Sequence, residues 1–162
     1  MVQILYGDIF DANAQTLVNP VNCVGVMGKG LALAFKNKYP EMYKDYGQKC
    51  KQGMVKLGKP YLYKSLFPPH ILLFPTKDHW RSLSNIHAIE EGLQYLKKNY
   101  NDWGITSIAI PSLGCGLGEL DWRIVGPTLY RHLKEFDIKV YLYTPFETPN
   151  KELITEFLGE QS

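Results

Sequence analysis

Short apolar segments alternate with longer segments of helical periodicity along this chain, and this alternation limits the possible folds more than any other feature. Six strands are predicted, at Val2–Tyr6, Thr16–Asn19, Pro60–Lys64, Ile71–Phe74, Ser107–Ile110 and Lys139–Tyr143. Several are rich in Ile, Val, Leu or Tyr and are bounded by Gly, Pro or Asn. Strands interleaved with helices form a sheet with helices on both faces. We therefore predict a three-layer α/β/α fold around a mixed, largely parallel sheet of about six strands.

Four helices are predicted between these strands, at Leu31–Tyr39, Glu41–Gln52, Ser84–Tyr100 and Asp121–Phe136. The third has the clearest apolar stripe. In the fourth, Asp121 is the expected N-cap, and Pro127 is expected to split the pattern into a turn and a helix. Near the end of the chain, a short apolar pattern predicts a final packed helix from Leu153, Ile154, Phe157 and Leu158.

Length and composition indicate a single domain over residues 1–162. The chain is 45% hydrophobic and 21% charged, as in globular domains. Its net charge is only +2, so a contact with nucleic acid would have to come from a local patch. We find neither a secretory signal nor an apolar run of the ~18–20 residues that span a bilayer. Cys23, Cys50 and Cys115 lack metal or disulfide spacing, so free thiols, no metal and a cytoplasmic location are expected.

Two glycine-rich segments each connect a predicted strand to a predicted helix, the first from Val24 to Leu31 and the second from Ser112 to Leu120. Glycine allows close backbone approach to a ligand, and free N–H groups at a helix N-terminus bind anions. The Walker fingerprint is absent, since Lys29 is followed by Gly30 rather than Ser or Thr. The Rossmann fingerprint G-x-G-x-x-G is absent too, since the two segments read G-x-x-G-x-G and G-x-G-x-G. Because ligands of such sheets bind at the carboxyl ends of strands, the two segments together predict a clamp for a nucleotide diphosphate.

Three motifs resemble those of the macrodomains, a family that binds ADP-ribose. They are Gly7-Asp8-Ile9, Asn19-Pro20-Val21-Asn22 and Pro111-Ser112-Leu113-Gly114-Cys115-Gly116, in the family's order. The resemblance extends from Val2 to about Leu158. Two longer strings, from Val24 to Ala32 and from Phe74 to Arg81, are similar to the branch that contains the DarG antitoxin glycohydrolases and the animal terminal ADP-ribose glycohydrolase. That branch uses a lysine rather than a metal, which implies no cofactor.

The resemblance implies an ADP-ribose site. Asp8 and Ile9 would bind adenine, Tyr143 would stack on it, and Asn22 would orient the distal ribose. The backbone around the distal ribose and diphosphate would come from Gly28, Lys29, Gly30, Leu31, Ser112, Gly114, Cys115, Gly116 and Leu117. For Asp8 and Asn22, the alternative is an ordinary turn role in which the side chain bonds nearby backbone.

Lys77 is the predicted catalytic residue, because it follows an apolar strand at the end where ligand sites lie. Its amine would add to the ring-opened distal ribose as a Schiff base, or donate a hydrogen bond in the transition state, and both routes stay open. His79, Trp80 and Arg81, together with Lys29, would form a basic and aromatic substrate rim. The alternative is an ordinary polar loop with Trp80 packed inward.

The resemblance favours an ADP-ribosyl glycohydrolase. The animal enzyme has an aspartate where this chain has Gly118, whereas DarG-like members have glycine there, which favours ADP-ribosylated DNA (thymidine) over protein as the substrate. The alternatives are a non-catalytic ADP-ribose reader and a phosphatase or deacetylase acting on ADP-ribose 1″-phosphate or O-acetyl-ADP-ribose. A DarG-like antitoxin would also have a cognate ADP-ribosyltransferase toxin as its partner, and no membrane contact is expected.

Overall fold

The computed structural model describes residues 1–145, 148 and 158–159. Within these ranges the elements are β1 (Val2–Leu5), β2 (Thr16–Asn22), α1 (Gly30–Lys38), α2 (Pro40–Lys51), β3 (Tyr61–Tyr63), β4 (His70–Lys77), α3 (Ile86–Asn99), β5 (Ser107–Ile110), α4 (Trp122–Leu133) and β6 (Lys139–Tyr143). Short 3₁₀ turns lie at Ile9–Asp11 and Gly116–Gly118. The six predicted strands and the four predicted helices between them are confirmed, with ends that differ by a few residues. In the described ranges, every helix is too short or too polar to cross a membrane.

The strands form one sheet in the order β1-β6-β5-β2-β4-β3, parallel except for β3 at one edge. Successive residues of β2 enter different cores: Leu17 packs with Phe35 of α1, and Val18 packs with Ile89 of α3. Helices α1 and α2 therefore cover one face, while α3 and α4 cover the other. The predicted three-layer fold with a mixed, largely parallel sheet is confirmed.

The structure tests three expectations about the helices, namely the caps of α4 and α3 and the break at Pro127. Asp121 caps α4 by accepting from the Arg123 N–H at 2.9 Å, as predicted. The cap of α3 is Asn85, one residue beyond the predicted start. The expected break at Pro127 is wrong, because α4 continues through it. Val125 and Leu129 anchor the helix in the core on both sides of Pro127, and this burial offsets the hydrogen bond that proline cannot make.

The predicted C-terminal helix falls mostly outside the described residues, including Leu153, Ile154 and Phe157. Leu158 and Gly159 are helical, and Leu158 is fully buried in the core beside α4.

The carboxyl ends of the parallel strands meet at one edge of the sheet. The two glycine-rich segments follow β2 and β5, which are neighbours, so both lie at this edge. On the other side of β2, a bulge in β4 changes the register: Val21 pairs with Pro75, and Asn22 then pairs with Lys77. The bulge therefore places Lys77 directly beside Asn22.

Candidate functional site

A cleft of about 770 Å³ opens at this edge of the sheet. Loop 1 (residues 24–31) and loop 2 (residues 112–120) form its walls, and the ends of the strands form its floor. The predicted site residues that line it are Asn22, Gly28, Lys29, Gly30, Leu31, Lys77, Trp80, Arg81, Ser112, Gly114, Cys115, Gly116 and Leu117. The fold thus brings both glycine-rich loops and Lys77 around one cavity.

Asn22 shapes loop 1. Its side chain is buried, and its Oδ1 accepts from the Val24 N–H at 3.0 Å and from the Tyr46 hydroxyl at 2.8 Å. Its Nδ2 donates to the Val26 carbonyl at 2.8 Å. The turn role considered for Asn22 is therefore present in the structure. In the described part of the chain, one amide hydrogen of Asn22 is left without an acceptor and is available to a ligand.

The N-terminus of α1 supplies one set of free N–H groups. Lys29 is its N-cap, and the Lys29 side chain makes no capping hydrogen bond. The first N–H groups of a helix have no partner within it, so those of Gly30, Leu31 and Ala32 are open at the cleft wall. The partial positive charge at this end favours an anion.

Loop 2 supplies the second set. Gly114 has φ +78°, and a Cβ there would lie 2.5 Å from Cδ1 of Leu120, so only glycine fits. Among the described residues, no acceptor is found for the N–H groups of Gly116 and Leu117, the first two residues of the 3₁₀ turn. Leu117 also reaches loop 1, since a Cβ on Gly30 would lie 3.1 Å from its Cδ1. The two loops therefore face each other, as the diphosphate clamp requires.

The cysteine thiols near the cleft are not activated. Burial, with a smaller contribution from Asp121, raises the pKa of Cys115 to about 12. Burial and the nearby Asp78 raise the pKa of Cys23 to about 11. Both groups are neutral thiols at physiological pH, and a thiolate nucleophile is not available from either.

Lys77 ends β4 and is half-buried. Its Nζ donates to the Trp80 carbonyl at 3.3 Å. The described residues that line the cleft include three cations, Lys29, Lys77 and Arg81, and no Asp or Glu. This wall suits an anionic ligand, and it lacks the carboxylate pair with which most glycoside hydrolases work. Of the two lysine amines on the wall, that of Lys77 belongs to the residue beside Asn22.

The predicted adenine residues lie outside the wall of this cleft, as does His79. Asp8 accepts from the Phe10 N–H at 2.9 Å and so caps the first 3₁₀ turn, which is the cap role considered from the sequence. Ile9 and Tyr143 are both buried. Burial, then the charges of Asp11 and Asp8, raise the pKa of Tyr143. Asp8 and Tyr143 are therefore neighbours at the ends of β1 and β6, and Pro145 extends the cleft wall towards them.

Ser84 and Thr76 line the cleft but were not expected there. The Ser84 hydroxyl donates to Oγ1 of Thr76 at 3.4 Å, and its N–H donates to the Gly118 carbonyl at 3.3 Å. A Cβ on Gly118 would lie 2.8 Å from the Ser84 Cβ. Ser84 therefore fills the space that a side chain at position 118 would need. In the sequence, the only sign of this contact is that position 118 is a glycine.

Trp80 is 44% exposed at the mouth of the cleft, so the alternative in which it packs inward is wrong.

The sequence model of the family described as Macro domain matches residues 18–129. A DNA ADP-ribosyl transferase–DNA ADP-ribosyl glycohydrolase fusion protein of Thermosipho africanus is 42% identical over 97% of this chain and 46% of its own length. A DNA ADP-ribosyl glycohydrolase of Mycobacterium tuberculosis is 43% identical over 86% of this chain and 41% of its own length. This chain thus spans less than half the length of these curated relatives.

The solved structure of Thermosipho africanus DarTG in complex with ADP-ribose superposes with a TM-score of 0.88 at 45% identity, over 94% of this chain and 44% of that one. The match to the family model covers more than half of the sequence, and the fold agrees with it over nearly the whole chain. This chain belongs to the macrodomain family.

Proposed function

We propose that this macrodomain binds ADP-ribose in the cleft and hydrolyses the bond that joins it to a modified macromolecule. Thymidine in DNA is the first candidate acceptor, and protein is the second. The names of the Thermosipho africanus and Mycobacterium tuberculosis relatives, both DNA ADP-ribosyl glycohydrolases, support the DNA acceptor. The ADP-ribose complex of the Thermosipho africanus protein supports the ligand.

In the proposed complex, the free N–H groups of α1 and of loop 2 hold the two phosphates. The distal ribose lies between Asn22 and Lys77, and adenine extends towards Asp8, Ile9 and Tyr143. The free carboxylate oxygen of Asp8 would accept from the adenine amine, and the Ile9 N–H would donate to a ring nitrogen. Tyr143 would stack on the base.

The pairing of Lys77 with Asn22, in a cleft wall whose described residues include no carboxylate, carries the proposal. Hydrolysis breaks the bond from the anomeric carbon to the base and adds water to that carbon. In one route the distal ribose opens at its ring oxygen, which takes a proton, the Lys77 amine adds to the anomeric carbon, and the base then leaves with a proton; water hydrolyses the resulting Schiff base and releases ADP-ribose. In the other route the Lys77 amine donates a hydrogen bond to the leaving group. Borohydride reduction would trap the ligand on Lys77 in the first route only.

The test is release of free ADP-ribose from an ADP-ribosylated thymidine oligonucleotide and from ADP-ribosylated protein. We expect Lys77→Ala to slow release at least about 100-fold, with ADP-ribose affinity changed far less because the backbone supplies most of the contacts. Lys98→Ala is the matched control, since Lys98 is exposed at the far end of α3. Turnover that survives Lys77→Ala would place the catalyst elsewhere.

A non-catalytic reader is the second candidate function. The bond from Lys77 Nζ to the Trp80 carbonyl favours it, because this bond holds the amine against the protein. Tight ADP-ribose binding by the wild type, without turnover of either macromolecular substrate, would establish the reader. Turnover of ADP-ribose 1″-phosphate or O-acetyl-ADP-ribose alone would instead indicate the phosphatase or deacetylase.

Residues 1–162 would form a single macrodomain, and its three free thiols suit a reducing cytoplasm. An ADP-ribosyltransferase toxin is the proposed partner, since the name of the Thermosipho africanus relative joins a transferase to a glycohydrolase.

A further inference from the structure

We infer that the segment after Lys77 is a docking site for single-stranded nucleic acid. In this site, the planar side chains of His79, Trp80 and Arg81, here called the rim stack, hold a base next to the modified nucleotide. The inference presupposes the proposed function, because it assigns a substrate class to the same cleft.

The rim stack lies where the leaving group must be. Loops 1 and 2 account for the diphosphate, and Lys77 lies beside the proposed position of the anomeric carbon. Trp80 and Arg81 also line the cleft but belong to neither loop. The Trp80 carbonyl accepts from Lys77 Nζ at 3.3 Å, so the rim stack begins one hydrogen bond from the catalytic amine.

The Trp80 ring contacts both of the other planar groups of the rim stack. The Arg81 guanidinium lies 4.4 Å from the centre of the Trp80 ring. The centre of the His79 ring lies 5.3 Å from the centre of the Trp80 ring, and the two ring planes are tilted by 32° to each other. All three side chains are exposed. Aromatic rings and guanidinium planes of this kind stack on the unpaired bases of single strands, whereas bases in a duplex are already stacked.

The backbone beneath the rim stack is held in place by hydrogen bonds. The Cys23 N–H donates to the Asp78 carbonyl at 3.0 Å and ties this segment to the residue just before loop 1. The Arg81 N–H donates to Nδ1 of His79 at 3.1 Å, and the Ser82 N–H donates to the His79 carbonyl at 2.9 Å. A site formed before binding loses less conformational entropy when the ligand arrives.

The charge of Arg81 supports the same ligand. Free backbone N–H groups already face the diphosphate, so the guanidinium at the mouth is left for another anion. Arg81 makes no ion pair with any described residue. A phosphodiester next to the modified nucleotide provides such an anion, and guanidinium binds phosphate well. A base and a phosphate together are what a nucleic acid offers and what a protein acceptor lacks.

The experiment measures binding in a Lys77→Ala background, so that hydrolysis does not interfere. The probes are ADP-ribosylated thymidine as a free nucleoside, the same group within a single strand of about five nucleotides, and an ADP-ribosylated peptide. We expect the oligonucleotide to bind about tenfold more tightly than the nucleoside. Trp80→Ala should remove most of this preference and Trp80→Phe should retain it. Phe67→Ala is the matched control, since Phe67 is an exposed ring at the opposite edge of the sheet.

Salt dependence gives a second readout. Arg81→Gln should reduce the slope of log affinity against log salt for the oligonucleotide by about 0.7, the contribution of one phosphate contact on a single strand.

Equal binding of oligonucleotide and nucleoside, or equal weakening of both by Trp80→Ala, would overturn the docking site. A peptide that gained the same Trp80-dependent affinity would overturn it in favour of a protein acceptor. Because these are binding measurements, a wild type that releases no ADP-ribose would contradict the proposed hydrolase and leave the docking site to be judged on its own result.

Discussion

Gly118 of loop 2 contacts Ser84, just before the start of α3. A substitution of Gly118 alone tests how much this contact matters. A Cβ at position 118 would lie 2.8 Å from the Ser84 Cβ. We expect Gly118→Ala to lower the free energy of unfolding by about 1–3 kcal/mol, as overpacking does, and to weaken ADP-ribose binding because loop 2 must shift. Denaturant unfolding and calorimetry measure the two effects.

Gly47→Ala provides the matched control, because a Cβ there meets nothing within 4 Å in α2. It should be neutral or raise stability by up to about 1 kcal/mol, since alanine favours a helix over glycine. Adding Ser84→Gly to Gly118→Ala should recover part of the loss. If the double variant loses as much free energy of unfolding as the two single variants together, the steric explanation fails.

Single residues also show what the sequence could and could not predict about the site. The placement of the glycines and of Lys77 at the cleft was predictable because its signal is local: a loop after a strand, and a lysine at a strand end. Ser84 was not, because its role arises from a contact with Gly118, 34 positions away. Asn22 was assigned to the ribose, but its own loop and Tyr46 already use most of its hydrogen-bonding groups, which only the folded backbone shows.

At the scale of an element, the N-terminus of α1 lacks the capping bond that would stabilise it, and the proposed complex uses its free N–H groups to bind phosphate. Its N-cap is Lys29, in an extended conformation and without a capping bond. Aspartate at this position would accept from the first free N–H groups and interact favourably with the helix dipole. We expect Lys29→Asp to raise the free energy of unfolding by about 0.5–1 kcal/mol and to weaken ADP-ribose binding at least tenfold, since its carboxylate would occupy the proposed phosphate site.

Lys29→Asp could weaken ADP-ribose binding by removing the lysine charge or by capping the helix end. Lys29→Ala separates these two causes, because it removes the cation without adding a cap. Its effect on affinity should be much smaller than that of Lys29→Asp. Equal losses of affinity in the two variants would mean that the side-chain charge, and not the open helix end, holds the diphosphate.

Elements were predictable where the periodicity of apolar residues is strong, and less so where packing overrides a local signal. Pro127 is the clearest case: its local effect is to interrupt a helix, but the core contacts of Val125 and Leu129 keep α4 continuous. The bulge that brings Lys77 beside Asn22 is another. It depends on pairing between two strands, which a single strand's sequence does not contain.

For the whole molecule, the alternation of strands and helices was sufficient to predict three layers, because each amphipathic element must bury its apolar face. The order β1-β6-β5-β2-β4-β3 was not predictable in this way. Alternation leaves open which strands are neighbours, and that order decides which loops share the cleft. The adjacency of β2 and β5 is therefore the property of the whole fold on which the proposed diphosphate clamp depends.

The core on the α3 and α4 side is completed from the far end of the sequence, since Leu158 is fully buried there. A Cβ on Gly126 of α4 would lie 3.0 Å from Cδ2 of Leu158, which shows how closely Leu158 approaches α4. We expect Leu158→Ala to lower the free energy of unfolding by about 2–5 kcal/mol, as other buried leucine truncations do. Affinity for ADP-ribose should stay within about twofold, because well-separated sites contribute independently.

Ile124→Ala on α4 is the control: this side chain is 63% exposed, so the change should cost less than about 0.5 kcal/mol. A loss below about 1 kcal/mol for Leu158→Ala, measured by denaturant unfolding, would show that this segment is not part of the cooperative core.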